Sequence, residues 1–194
     1  MTDTSAELIS DKMSEKIIET AEMLAISKGA RNINVRMILK ELGITNRVFY
    51  NRFHNINEVL EIVYKNTILK IRESLPEKFE PEGKEEFFRS VMDVIVCSLT
   101  RSYDNKMKFN QYVFENDSIS KENFRWWCDK IKKLIDYAME KGYIKKVNSE
   151  VLSYSIWCFI RGYNADAVGR NLPREEAVEY FKYSIGFLIE GLKA

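Results

Sequence analysis

The side chains best able to act on a partner molecule in this chain are Arg36, Thr45, Asn46, Arg47, Tyr50, Asn51 and Arg52, crowded between residues 36 and 52. Guanidinium forks donate in pairs to phosphate oxygens or to a guanine edge, Asn amides match adenine, and hydroxyls reach the sugar-phosphate backbone. The chemistry this set offers is recognition of double-stranded DNA. Bond-breaking chemistry has little to work with. His54 is the single histidine, which leaves no Ser-His-Asp set, no Cys-His pair and no histidine-rich metal site. The carboxylate pairs Glu85 with Glu86 and Glu175 with Glu176 stand at helix starts, where they offset the positive end of the dipole. The string GKEE from Gly83 lacks the preceding strand and glycine-rich loop that cradle a phosphate. The expectation is a protein with no catalytic residue, no metal and no cofactor, in which His54 contacts phosphate or is simply exposed.

Reading DNA requires that these groups be held on rigid elements, and the segment NVRMILKELGITNRVFYNRF over residues 34–53 supplies them. Asn34 is placed to cap a helix whose Val35, Ile38, Leu39 and Leu42 recur at helical spacing. Gly43 ends it, because glycine enters the left-handed conformation of a helix C-terminus without steric cost, and Ile44 folds back into the hub. Thr45 then caps a second helix with Val48, Phe49 and Phe53 inward and Asn46, Arg47, Tyr50, Asn51 and Arg52 outward. Two short helices around a tight turn form a helix-turn-helix, whose second helix enters the major groove.

This segment, with KIIETAEMLAISKG before it and INEVLEIVYKNTILKIRESL after it, resembles the DNA-binding domain of the tetracycline-repressor (TetR) family. The residues that carry the resemblance are Ile17, Ala21, Leu24, Gly29, Val35, Ile38, Gly43, Tyr50 and Phe53. It is close over roughly the first third of the chain and extends over the rest only as a helical layout. Ala25 stands where the family usually has a large aromatic residue and Leu39 where it has Ala, so volume is expected to have moved across the first two helices. Ile56 replaces a common phosphate-binding Lys, and Arg47 and Val48 replace the usual Gly and Thr, so the operator sequence cannot be borrowed. The resemblance implies that Arg36 contacts bases or phosphates, and Arg47, near the start of the recognition helix, is the candidate for a guanine edge.

Charge agrees with a DNA partner once it is resolved along the chain. Between residues 28 and 55, Lys28, Arg31, Arg36, Lys40, Arg47 and Arg52 stand against Glu41 alone, a local +5 in a chain of net charge +1. Phosphates respond to the local value, because more distant charges are screened beyond about 8 Å at physiological salt. Cys97, Cys128 and Cys158 are odd in number, widely spaced and set among apolar residues, which points to buried reduced thiols and a cytoplasmic location. No basic-then-apolar leader and no apolar run long enough to cross a bilayer is present, so no membrane partner is expected.

The remainder predicts an all-α protein of about nine helices, with residues 1–55 as the helix-turn-helix domain and 56–194 as a helical ligand-binding and dimerisation domain. Helices are predicted over 56–75, 84–103, 105–116, 120–142, 149–169 and 173–192, with the polar EKFEPEGKEE stretch as a linker. The helix from Ile56 is the expected mechanical link between the two domains. Trp126 and Tyr137 share the face opposite the inward arc of their helix, to meet another helix, a partner chain or solvent. The last two helices are apolar nearly all round. Such a pair needs cover on both sides, and a second copy of the chain is the simplest cover, with Ser155, Cys158, Gly162, Phe181, Ile185, Leu188 and Leu192 as interface candidates. The family's four-helix dimer interface agrees with this.

All but four of the aromatic residues, Phe49, Tyr50, Phe53 and Tyr64, lie beyond residue 75. From the helices that enclose ligands in proteins of the resembling family, candidates for a small-molecule site are Phe88, Met92, Tyr103, Phe109, Tyr112, Trp127, Tyr154, Trp157 and Tyr163. Such a site suits an apolar or aromatic effector. The expected function is a homodimeric repressor released from a palindromic operator by a small effector. Two alternatives stay open: an architectural or division-linked DNA-binding protein without an effector, and an all-helical binding module or enzyme without DNA binding.

Overall fold

The computed structural model describes residues 8–73, 79, 81–103, 112–113, 116 and 120–194. Eight α-helices are described: α1 Lys12–Lys28, α2 Val35–Leu42, α3 Asn46–Tyr50, α4 Ile56–Glu73, α5 Lys84–Tyr103, α6 Lys121–Glu140, α7 Ser149–Gly169 and α8 Arg174–Leu192, with a 3-10 turn Ala30–Asn32 after α1. The described residues contain no strand beyond one isolated antiparallel bridge, Ile144 with Lys193. The all-α reading therefore holds. The helix predicted over 105–116 lies almost wholly outside the described residues, as does the end of α4 predicted at Leu75.

The chain divides into two compact units between residues 74 and 75. In the first unit, α1 packs against α2, α4 and the 3-10 turn, and α2 packs against α3. The core follows the sequence pattern: Ile17, Ala21, Leu24 and Ala25 of α1, Ile38 of α2, Phe49 of α3, Phe53, and Val59, Leu60 and Val63 of α4 are all buried. A domain boundary at residue 55 would cut α4 away from α1, on which it packs.

In the second unit, α6 packs on α7, and α5 packs on both α7 and α8. Its core has two centres, and α5 feeds both. Phe87 at one end of α5 joins Ile135, Ala138 and Ile144, while Leu99 at the other joins Ala167, Ala177 and Phe181. Tyr137 of α6 does meet another helix, with its ring stacked on Phe87 at 5.9 Å. The tail after α8 is tied to the α6–α7 loop by Lys145 N–H to the Leu192 carbonyl (2.9 Å) and Ala194 N–H to the Tyr143 carbonyl (3.2 Å).

The cysteines depart from expectation. All three are free thiols, but Cys97 and Cys158 are exposed and only Cys128 is half-buried. An apolar sequence neighbourhood on a helix does not fix which way one small residue faces, and both lie on outward arcs. No helix among the described residues is long and apolar enough to cross a membrane.

Candidate nucleic-acid interface

The interface is built outward from two aromatic anchors. Phe49 is fully buried and Phe53 nearly so, with ring centroids 5.8 Å apart, and they seat the short α3 on the rest of the unit. Burying one such side chain contributes about 1.5–3 kcal/mol, which matters because a five-residue helix cannot hold itself in water. On the opposite side Asn46, Arg47, Tyr50 and Asn51 are exposed, and the Tyr50 ring rests edge-on against Phe49 at 5.3 Å.

The turn that aims α3 has the predicted chemistry at Asn34 and Gly43 but not at Thr45. Asn34 accepts from Met37 N–H at 3.2 Å and caps α2. Gly43 closes α2 in the left-handed region at φ 63°, and Ile44 N–H returns to the Leu39 carbonyl at 3.1 Å. Thr45 occupies the N-cap position of α3 with extended backbone, but its hydroxyl makes no cap bond and is exposed. Arg36 is exposed on the first turn of α2. Lys28, Arg31 and Lys40 are exposed as well, so most of the basic excess reaches solvent.

Arg52 is the exception. Its side chain is only 12% exposed and pairs with Asp11, Nε to Oδ1 at 2.9 Å and Nη2 to Oδ2 at 2.6 Å, while Nη1 donates to the Val48 carbonyl at 2.8 Å. The hydrogen-bonded guanidinium holds the Asp11 carboxyl well below the usual carboxylate range. Asp11 was missed by sequence reasoning because the partners are 41 positions apart and no helical periodicity links them. His54 is exposed, and its Nδ1 and backbone N–H both meet Glu58 Oε2, at 3.0 and 2.7 Å.

The candidates in the second unit are distributed over several places. Phe88 and Met92 line an open groove of about 280 Å³ between α5 and α8, with Glu85, Arg89, Glu190 and Lys193 around it and the Lys193 ammonium 5.1 Å above the Phe88 ring. Trp127 and Trp157 stack at 5.8 Å between α6 and α7. Tyr163 donates to the Ala177 carbonyl at 2.7 Å and packs on Phe181, beside Tyr103, in the core around Leu99. Tyr112 is half-buried, and Phe109 lies outside the described residues. Tyr154, expected in an enclosed site, is 55% exposed on the outer face of α7. Among the described residues no group of His, Cys, Asp and Glu could hold a metal ion.

The interface candidates separate by face. Ser155, Cys158, Gly162 and Leu188 are exposed. Phe181 and Ile185 are instead buried at 0% and 2%, inside the unit, so these two do not belong to an outer surface, and Leu192 is half-buried against the Phe87 core. The outward stripe of α8 is formed by Tyr180, Tyr183, Phe187 and Leu188, and that of α7 by Val151, Tyr154, Ser155 and Cys158.

Residues 17–63, spanning α1 to the first turns of α4, match the family model described as bacterial regulatory proteins, tetR family. No curated protein matches the chain. Solved structures share its fold over nearly its whole length. A TetR-family transcriptional regulator from Pectobacterium atrosepticum is 14% identical with a TM-score of 0.71, covering 94% of this chain and 95% of its own. SmeT, the repressor of the Stenotrophomonas maltophilia multidrug efflux pump SmeDEF, is 17% identical with a TM-score of 0.67, covering 94% and 92%. A SmeT–triclosan complex is 16% identical with a TM-score of 0.64, covering 90% and 91%. At such identities the likeness is one of fold. The α1–α4 unit, with its buried Phe49 and Phe53 and its exposed polar face, is thus similar to the amino-terminal domain of bacterial regulatory proteins of the tetR family, and the chain as a whole has the all-helical fold of TetR-family transcriptional regulators.

Proposed function

We propose that the chain is a homodimeric transcriptional repressor that binds a palindromic operator and is released from it by a small apolar or aromatic effector. The observation that carries this reading is the row Thr45, Asn46, Arg47, Tyr50 and Asn51, exposed together on and before a helix whose other side is fixed by buried Phe49. Arg36 joins the row, as base or phosphate contact. Arg47 reads a base edge, whereas Thr45 and Tyr50 hold the backbone through their hydroxyls.

Dimer formation is supported by the exposed apolar stripes of α7 and α8, where Tyr183 and Phe187 are 71% and 65% exposed. Exposed large apolar side chains at helical spacing on two adjacent helices are the mark of an interaction surface. The effector class rests on the aromatic content of the second unit, including the stacked Trp127 and Trp157, and on the triclosan bound by a protein of like fold. The experiment is selection of DNA fragments retained by the full-length protein, followed by a search for an enriched palindrome. Recovery of a palindrome with salt-sensitive binding supports the reading, and recovery of none overturns it.

A further inference from the structure

We propose that Asp11 and Arg52 form a positioning clamp that fixes the tilt of the DNA-reading helix on α1, and that Arg52 acts through this clamp rather than by touching phosphate. The inference rests on the DNA-binding reading above. By itself α3 is weak, since it spans only Asn46–Tyr50 and is anchored on one side by Phe49. Anchoring by one side leaves a short helix free to rock about its aromatic contacts.

Two ties at its carboxyl end remove that freedom. The Arg52 amide turns to the Phe49 carbonyl at 2.8 Å, so the helical bond to Val48 is made by the Arg52 side chain instead, Nη1 to the Val48 carbonyl at 2.8 Å. The same guanidinium grips both oxygens of Asp11, whose Oδ1 also caps α1 by accepting from Met13 and Ser14 N–H, each at 3.0 Å. One carboxylate is thus shared between the start of α1 and the end of α3. The second tie is backbone: Ile9 N–H donates to the Asn51 carbonyl at 2.9 Å, and the Ser14 hydroxyl holds the Ile9 carbonyl at 3.0 Å. A bidentate pair has defined geometry, so it sets orientation as well as distance.

Electrostatics makes the proposal testable by sign. A carboxylate beside a DNA-binding helix repels the polyanion, so removing it should strengthen non-specific binding. If Asp11 is a positioner, the same change weakens binding to the correct sequence. Asp11→Asn is the sharpest variant, because Asn caps a helix as well as Asp does but cannot neutralise the guanidinium. Arg52→Lys is the second, since it keeps the charge and loses the fork.

The test compares full-length wild type, Asp11→Asn, Arg52→Lys and Arg52→Ala on the selected palindrome and on random DNA over a salt series. Both Asp11→Asn and Arg52→Lys are expected to bind the palindrome about tenfold more weakly, the scale of one charge-assisted hydrogen bond, with random-DNA affinity unchanged or raised. Arg52→Ala is expected to leave the log-log salt slope unchanged. Wild-type affinity for the palindrome in either of the first two variants overturns the clamp. A slope reduced by about one in Arg52→Ala overturns it too, and makes Arg52 a phosphate contact. Should wild type select no DNA at all, the regulator reading fails by itself, and amide exchange over residues 47–53 then decides the clamp: faster exchange in Asp11→Asn supports it, and unchanged exchange overturns it.

Discussion

Arg47 and Arg52 lie five positions apart on the same basic segment, yet they face different tasks. Arg47 is exposed near the amino end of α3, whereas Arg52 is 12% exposed and held by Asp11 and Val48. Arg47→Ala should therefore weaken specific binding by about 1–3 kcal/mol and relax preference at one position per half-site, read from competition among operator variants. Unchanged selectivity would reduce Arg47 to a phosphate contact. Asp11 makes a pH prediction whose sign is fixed. Its folded-state pKa is lowered by the Arg52 hydrogen bonds, so the pair contributes stability above the unfolded Asp value of about 3.9 and loses it as pH falls through the folded value. The difference in melting temperature between wild type and Asp11→Asn should be flat from about pH 5 to 9 and close only in strong acid. The exposed row of α3 was legible in the sequence because helical spacing assigns inward and outward sides once Phe49 and Phe53 are taken as anchors. The loss of Arg52 from that row was not, because a contact 41 positions away leaves no local pattern.

At the scale of the element, the turn and the outer helices behave oppositely toward sequence reasoning. Gly43 was readable as a C-cap, and it adopts φ 63° with open space where a Cβ would sit. Gly43→Ala therefore carries only the backbone cost of a left-handed L-residue, about 1–2 kcal/mol, measurable as a lowered melting temperature with the DNA-contacting side chains intact. A melting temperature equal to wild type would show that the turn relaxes elsewhere. For α8 the sequence pattern was ambiguous. Phe181, Ile185, Tyr183 and Phe187 are all large and apolar, and the polar strip of Glu179, Lys182, Glu190 and Lys193 is too narrow to separate the inward ones from the outward ones. Packing settles it, since Phe181 joins the Leu99 core and Ile185 is buried, while Tyr183 and Phe187 point outward. The two faces predict different phenotypes. Phe181→Ala should cost about 3–5 kcal/mol of stability through the cavity it leaves. Phe187→Arg should leave the melting of the protomer unchanged and weaken the dimer by about tenfold or more, seen by sedimentation as a shift toward monomer. An unchanged dimer would exclude this face as the interface.

For the whole molecule, the proposed switch requires that an effector bound in the second unit change how the first unit meets DNA. A five-residue reading helix with its carboxyl end clamped to α1 moves as part of the α1–α4 unit, so release from DNA requires no change within α3 itself. In a two-fold dimer the two reading helices fit successive major grooves only at a separation of about 34–36 Å, and an effector need only favour a different separation. It can shift that balance by no more than its difference in affinity for the two arrangements. The effector should therefore weaken operator binding while the dimer stays intact, and operator DNA should weaken effector binding by the same factor, because the coupling is reciprocal. Titration calorimetry of the effector with and without operator, alongside operator binding with and without effector, measures both sides of that equality. Because the clamp joins α3 to α1 within one unit, Asp11→Asn should lower operator affinity yet leave effector affinity in the absence of DNA unchanged. A tightly bound effector that leaves operator affinity unchanged, or one that acts by splitting the dimer, would rule this switch out.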